Sequence, residues 1–297
     1  MDWFIAADSS CDLFPSQFSD QGFGINPAEE AGAPVIEDAP SIGFDTVPFV
    51  MRVGETDFVD DENLDVDAML TAMENESEVS TTACPSPQAW VDLFQKSDQV
   101  VAITISERLS GSFESASVAK NMVLADHPDK KIAVINSCST GPEVALCIDL
   151  MAKCIRMGDS FDEVVAKAQA FVDETRTVFS LSSFNNLVKN GRIPKLVGFL
   201  AGKLGVWGIG IGSDKGEIIL KGKARGAAKC IKIILEDMFS RGYNGGRVLI
   251  SHSLNPDFAQ RVASAIKEHW STAKVDIIPC RGLDAFYAER GGVIIGY

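Results

Sequence analysis

The stretch ITISERLSGSFESASVAK (residues 103–120) joins two kinds of periodicity. A β-branched run ends at Ile105, an amphipathic helical pattern follows Ser112, and Ser110, Gly111 and Ser112 stand at the helix mouth. A strand that hands over to a helix is the elementary unit of an α/β domain. Small residues at that junction also leave backbone N–H groups and the positive end of the helix dipole at the sheet's C-terminal edge, where an anion is held. Helix capping is the simpler task for Ser110 or Ser112, and on this stretch alone both tasks stay open. No GxSxG elbow surrounds Ser110, so it is a poor hydrolase nucleophile.

Outward from this junction the same alternation recurs. DWFIA (2–6), TVPFVMR (46–52), VVAITI (100–105) and KIAVIN (131–136) read as strands. DVDAMLTAM (65–73), PQAWVDLFQ (87–95) and GPEVALCIDLMAKCIRM (141–157) read as helices. The pattern predicts a largely parallel sheet flanked by helices. Residues 15–45, acidic and rich in glycine and proline, are expected to form a long surface excursion.

After FDEVVAKAQAFVDE (161–174) the pattern restarts with strand TVFSLS (177–182). LVKNGRIPKLVGFLAGKL (187–204) reads as a turn between two short helices, and 206–222 as two β runs joined at Ser213–Gly216. Helix 227–239, strand 247–253, helix 256–270, strand 275–279 and a closing strand GGVIIGY complete a second α/β unit. Two domains are expected, 1–172 and 173–297, the second with a mixed sheet.

Composition narrows the partners. A formal net charge of −14 disfavours nucleic acid and anionic membrane surfaces, both of which reward a basic face. The most apolar stretch, 196–212, is interrupted by Lys203 and rich in glycine, so an integral membrane protein is not expected. MDWFIAADSS lacks a basic leader, which makes the cytoplasm the expected compartment. Seven cysteines without a CxxC read as reduced, mostly buried thiols. Three histidines without ligand spacing predict no metal site.

Further hydroxyl clusters precede or follow predicted elements. DSSCDL (8–13) follows the first strand, where Asp8, Ser9 and Ser10 suit capping, an anion or a metal, capping foremost. SEVSTTACPSPQAW (77–90) sets Ser80, Thr81 and Thr82 ahead of a helix that opens at Ser86 or Pro87. Together with the 103–120 junction these loops are expected to share one rim. GIGIGSDKGEI lacks the GxGxxG spacing and returns to a β run, so a hairpin explains it better than a dinucleotide loop. In KNGRI (189–193) the Asn190–Gly191 turn directs Arg192, either to solvent or to a carboxylate or phosphate.

DSSCDL, TTACPSP (81–87), ISERLSGSFESA (105–116), VINSCST (134–140), KNGRI and GKARG (222–226) occur in this order, with a closing glycine-rich strand, over nearly the whole chain. This series resembles the DegV family, which includes the fatty-acid-binding subunits of bacterial fatty acid kinase. LSGSFESA and NGRI are its most specific pieces. The resemblance implies a two-domain α/β protein with a fatty acid as bound ligand and no other cofactor. It places the lipid site at the domain interface, the acyl chain buried and the carboxylate held near the mouth. It implies Thr82, Ser110 and Gly111 at the carboxylate and Arg192 near it and near a docking surface. It further implies a separate ATP-dependent kinase subunit that converts the presented acid to acyl phosphate, the binding subunit itself being non-catalytic.

The chain departs from the family's pattern at named places. The family's closing motif often reads THTGPGALG; FYAERGGVI (286–294) puts Tyr287 in place of its histidine and Arg290 in place of its proline. Ala83 and Cys84 stand where Ser-Gln is common. Tyr287 can donate a hydrogen bond to a carboxylate but does not titrate near neutrality as histidine does. The apolar stretch 196–207 is a candidate cavity wall, with ordinary core as the alternative. Two other function classes stay open here: a stand-alone kinase or transferase for a small molecule, and a lipid-sensing regulator without a kinase partner.

Overall fold

The computed structural model describes residues 2–18, 40–194 and 205–297. Four parallel strands form the first sheet: β1 (Trp3–Asp8), β2 (Ile42–Val47), β6 (Gln99–Thr104) and β7 (Lys131–Asn136), in the order β2-β1-β6-β7. Trp3, Ile5 and Ala7 point to one face and pack under helices Pro142–Arg156 and Phe161–Glu174. Phe4 and Ala6 point to the other face, toward helices Pro87–Phe94 and Ser112–Asp126. A strand covered on both sides needs no polar alternation, which is why β1 reads as a continuous apolar run.

The second sheet holds β8 (Thr177–Leu181), β9 (Val206–Gly212), β10 (Ile218–Arg225), β11 (Gly246–His252), β12 (Ala273–Pro279) and β13 (Val293–Gly296). Their order is β10-β9-β8-β13-β11-β12, and of these pairs β11–β12 alone is parallel. Helices Ala227–Ser240 and Pro256–His269 cover one face around Val178, Ile209 and Ile295. The opposite face carries Phe179, Leu181 and Ile294 and turns toward the first sheet's loops. Helix Gly282–Ala288 packs on that side, against Phe49, Met51 and Ile105 of the first half.

The fold is therefore α/β, a parallel four-stranded sheet beside a mixed six-stranded one. The hairpin read at 206–222 forms with its turn at Ser213–Gly216. Several expectations need correction. TVPFVMR is two strands, because Pro48 lacks the N–H a ladder requires. The first ends at Val47 in the parallel sheet. The second, β3 (Val50–Val53), joins a small antiparallel sheet with β4 (Thr56–Val59) and β5 (Thr81–Ala83), in the order β4-β3-β5. Residues 42–45 of the expected excursion belong to β2, and 19–39 lie outside the described residues. The helix after Ser112 is not strongly amphipathic. It buries Ser112, Ser115, Ala116, Ala119 and Val123, while Val118 and Met122 are exposed. Small side chains let it lie close to the sheet and to helix 87–94.

All seven cysteines are unpaired, and five of them are buried. Among the described residues no helix is long and apolar enough to cross a membrane.

Candidate functional site

The junction at 103–120 is held from below by a buried carboxylate. Asp8, at the end of β1, accepts from the Ile105 N–H (3.1 Å), the Ser112 hydroxyl (2.6 Å) and the Ser10 hydroxyl (2.5 Å). Burial pushes the Asp8 carboxyl up from its ordinary value, and the Ser10 and Ser112 hydroxyls act against that. DSSCDL thus contributes a cap and a strut, since Asp8 also accepts from the Ser10 N–H. Ser112 is a structural hydroxyl. Ser110 precedes the helix N-cap, Gly111; its Oγ accepts from the Ser112 N–H at 3.2 Å, and it also lines a cavity.

That cavity, about 790 Å³ including its open mouth, lies between the strand-end loops of the first sheet and the inner face of the second. Its size is ordinary for a small-molecule site. Phe49, Ile105, Leu109, Phe179, Leu181 and Leu187 supply apolar wall. The ring of Phe179 occupies the space left by Gly210 on β9, where a Cβ would collide with it.

Thr82, Ser110, Arg192 and Tyr287 all line this cavity, although they come from four separate segments. β5 presents Thr82 opposite Met51 of β3, and helix 282–288 presents Tyr287. The two hydroxyls meet at 2.9 Å. The Arg192 guanidinium lies 5.7 Å from the Tyr287 ring centroid, with Nε donating to the Leu109 carbonyl (3.1 Å). Gly191, at φ +73°, makes the turn that aims it. Asn190 donates to the Ser80 carbonyl (3.1 Å), and Asn186 to the Phe286 carbonyl (2.8 Å). Helix Asn185–Lys189, the Thr82 strand and the Tyr287 helix are thereby fastened together. Burial pushes the Tyr287 phenol up, against the Thr82 hydroxyl and the Arg192 charge. It stays a neutral hydroxyl, able to donate, through the neutral range.

Gly111 does not line the cavity. It is exposed beside Cys84, at the start of helix 112–126. Of the three loops expected to share one rim, those after β1 and β6 do, and the loop after β7 joins them in place of 77–90: Ser106 N–H donates to the Ser139 carbonyl (2.8 Å) and Gly141 N–H to the Ser10 carbonyl (2.7 Å). Thr82 reaches the site from the small antiparallel sheet instead. Of the stretch 196–207, residues 196–204 lie outside the described residues, as does the second of the two short helices expected in 187–204.

Sequence reasoning missed four further residues that line the cavity: Ser139, Thr140, Thr177 and Asp284. The first two sit in VINSCST, directly after a parallel strand, and that position was signal enough to place them at the rim. Asp284 and its helix gave no such signal. Among the described residues, no three or more His, Cys, Asp and Glu side chains are grouped to hold a metal ion.

Comparison with known proteins decides the family. The sequence model of the DegV family, whose description reads uncharacterised protein, matches residues 37–295. The chain belongs to the DegV family. A DegV domain-containing protein of Streptococcus pyogenes serotype M18 is 37% identical over 297 residues, covering 100% of this chain and 99% of its own. Among solved DegV-like structures, the Streptococcus pneumoniae Fatty Acid Kinase B3 protein loaded with linoleic acid is 38% identical, with a TM-score of 0.88 over 100% of this chain and 99% of that one. A DegV family protein from Eubacterium eligens loaded with heptadecanoic acid is 32% identical, with a TM-score of 0.87 over 99% and 98%.

Proposed function

We propose that this DegV protein binds a long-chain fatty acid at the interface of its two α/β domains, divided near residue 172, and presents the carboxylate to a separate fatty acid kinase. The observation that carries this reading is one cavity whose lining combines an apolar wall with Thr82, Ser110, Tyr287 and Arg192. Each buried CH₂ contributes about 0.8 kcal/mol, so ten of them reach about 8 kcal/mol, the scale of a micromolar Kd. The carboxylate cannot enter the apolar part unpaired. It rests at the mouth, accepting from Thr82, Ser110 and the Tyr287 phenol, with the bare backbone of Gly111 close behind Ser110. Arg192 balances its charge and faces the kinase. The carboxylate oxygens then stay open to a phosphoryl donor held by the partner, and this chain performs no transfer itself. Support for the ligand and the partner comes from the two relatives above, one described as a fatty acid kinase protein and both loaded with fatty acids.

The test is extraction and mass spectrometry of lipid from protein purified from a heterologous bacterial host. One fatty acid per chain is expected, lost when Thr82→Ala and Ser110→Ala are combined. Tyr287→Phe alone is expected to weaken rebinding about 10- to 100-fold, the worth of one hydrogen bond to a charged group. Full lipid occupancy in the double variant would refute the head-group assignment, and a wild type that never carries or takes up lipid would refute the function.

A further inference from the structure

We propose that the tip of the β9–β10 hairpin, residues 213–220, is a flap over the acyl cavity, and that Ser106 is the latch that sets how fast a fatty acid enters and leaves. The inference rests on the fatty-acid reading above and adds a route for the ligand and the residue that controls it.

The hairpin outruns the strand that supports it. β8 pairs with β9 as far as Val178 opposite Ile211, and β10 is an edge strand. Beyond that rung the two arms pair with each other, Gly212 with Ile218, and close through the Ser213–Gly216 turn. Arg241 clamps one root, donating to the Thr177 carbonyl (3.0 Å) and the Gly212 carbonyl (3.1 Å). At the other root the register slips between Leu220 and Gly222, and a bulge there lets the strand bend.

The underside of this segment belongs to the cavity. Gly216, Glu217 and Ile218 line it, and Leu220 packs with Ile218 on the Phe179 cluster. Ile219 points the other way and is 43% exposed. The tip rests on the loops after β6 and β7. A Cβ at Gly216 would overlap the Ser106 hydroxyl and come within 2.9 Å of the Cys138 Cα. Glycine, at φ +77°, is what lets the backbone lie flush there.

The latch has one possible polarity. A carbonyl only accepts, so the Ser106 Oγ donates to the Gly216 carbonyl (2.8 Å) while it accepts from the Arg108 N–H (3.2 Å). Ser106 is fully buried and does not itself line the cavity. The turn satisfies its own amides: Gly216 N–H donates to the Ser213 carbonyl (2.9 Å), and the Lys215 and Glu217 N–H groups donate to the Ser213 Oγ (3.3 and 3.0 Å). Asp214 stands 3.7 Å from Arg176 of the same half, a largely exposed pair of little weight. The turn therefore stays formed as it swings out, and what it gives up is the Ser106 bond. A lifted flap opens the apolar side of the cavity, so the chain need not thread end-on past the polar lining. Because Ser106 does not touch the ligand, its hydroxyl biases the open fraction of free and loaded protein alike.

Stopped-flow fluorescence of delipidated full-length protein with cis-parinaric acid gives the association rate, and displacement by excess octadecanoic acid gives the dissociation rate. Ser106→Ala is expected to raise both rates about 3- to 10-fold, the worth of one neutral hydrogen bond, with Kd within about 2-fold of wild type. The Ser110 N–H keeps its bond to the Ser106 carbonyl (3.2 Å), since alanine retains that backbone. Gly216→Ala pushes the tip off the same seat and is expected to raise both rates at least as much. It decides alone if Ser106→Ala does not fold. Rates equal to wild type in the folded variants overturn the inference. A faster dissociation with unchanged association, and Kd weakened in step, also overturns it, because Ser106 would then act through the ligand's contacts. A wild type that takes up neither acid overturns the fatty-acid reading and this inference with it.

Discussion

Replacing Arg281 with alanine is expected to lower stability by about 3–5 kcal/mol, because it strips the partner from a buried charge. The Arg281 guanidinium is 2% exposed and crosses between the two halves of the chain. It donates to the Leu13 carbonyl (2.6 Å), the Thr46 hydroxyl (3.1 Å) and the Asp60 carbonyl, stands 3.4 Å from the Asp60 carboxylate and stacks on Phe14. Asp60, itself fully buried, also accepts from the Gly282 and Leu283 N–H groups at 2.8 and 2.9 Å. Its charge thus favours the start of the Tyr287 helix. Without Arg281 that carboxylate is left with backbone partners alone, and the mouth loses a brace one helix turn from Asp284. Chemical denaturation measures the loss. Arg281→Met combined with Asp60→Asn removes both charges and should recover more than half of it. A loss below about 1 kcal/mol in Arg281→Ala would show the pair to be a minor contact.

Thermal stability is expected to fall as pH rises from 5 to 8, and Asp284→Asn is expected to flatten that fall. Asp12 and Asp284 are buried, and their Oδ2 atoms converge beside Gly141, where a Cβ would meet both. Among the described residues neither oxygen has a hydrogen-bond partner outside the pair, so the two carboxyls share a proton. Burial pushes Asp12 up to about 7, against the Ser251 hydroxyl and the Arg281 N–H. Burial and the neighbouring Asp12 charge drive Asp284 well up, against the Thr140 hydroxyl. A carboxyl with a raised folded-state pKa contributes stability that is fully present below the unfolded value, about 3.9. That contribution is lost as pH climbs through the folded value. The window therefore opens above pH 4 and extends past 7. Asp8, Glu143 and Glu289, also raised by burial, add the same sign. The difference between wild type and Asp284→Asn isolates the pair, since the amide donates where the proton sat. Parallel melting curves across this range would contradict the shared proton.

Much of this architecture was legible because periodicity records local geometry. β1, β6 and β7, the hairpin turn at Ser213–Gly216 and the Asn190–Gly191 turn each follow from residues within a few positions of one another. What stayed hidden depends on distant partners. β5 has three residues and exists because Thr82 finds Met51 across the sheet. Helix 282–288 is short and begins on Asp60, more than two hundred residues earlier. The lining residues Thr82, Ser110, Arg192 and Tyr287 were named through family resemblance, and no spacing rule would have grouped them. Ser139 and Thr177 escaped because each reads as an ordinary hydroxyl beside a strand, and Glu143 as an exposed residue in the first turn of a helix. Only the fold buries all three together.

The pairing of Gly210 with Phe179 makes the depth of the cavity a length gauge with a single graduation. The ring lies flush with the wall because the neighbouring strand offers it a hydrogen atom and nothing more. A methyl group at 210 would turn the ring into the path of a ligand without touching one itself. Chain length could then drift among relatives through a backbone position that no list of ligand contacts would include.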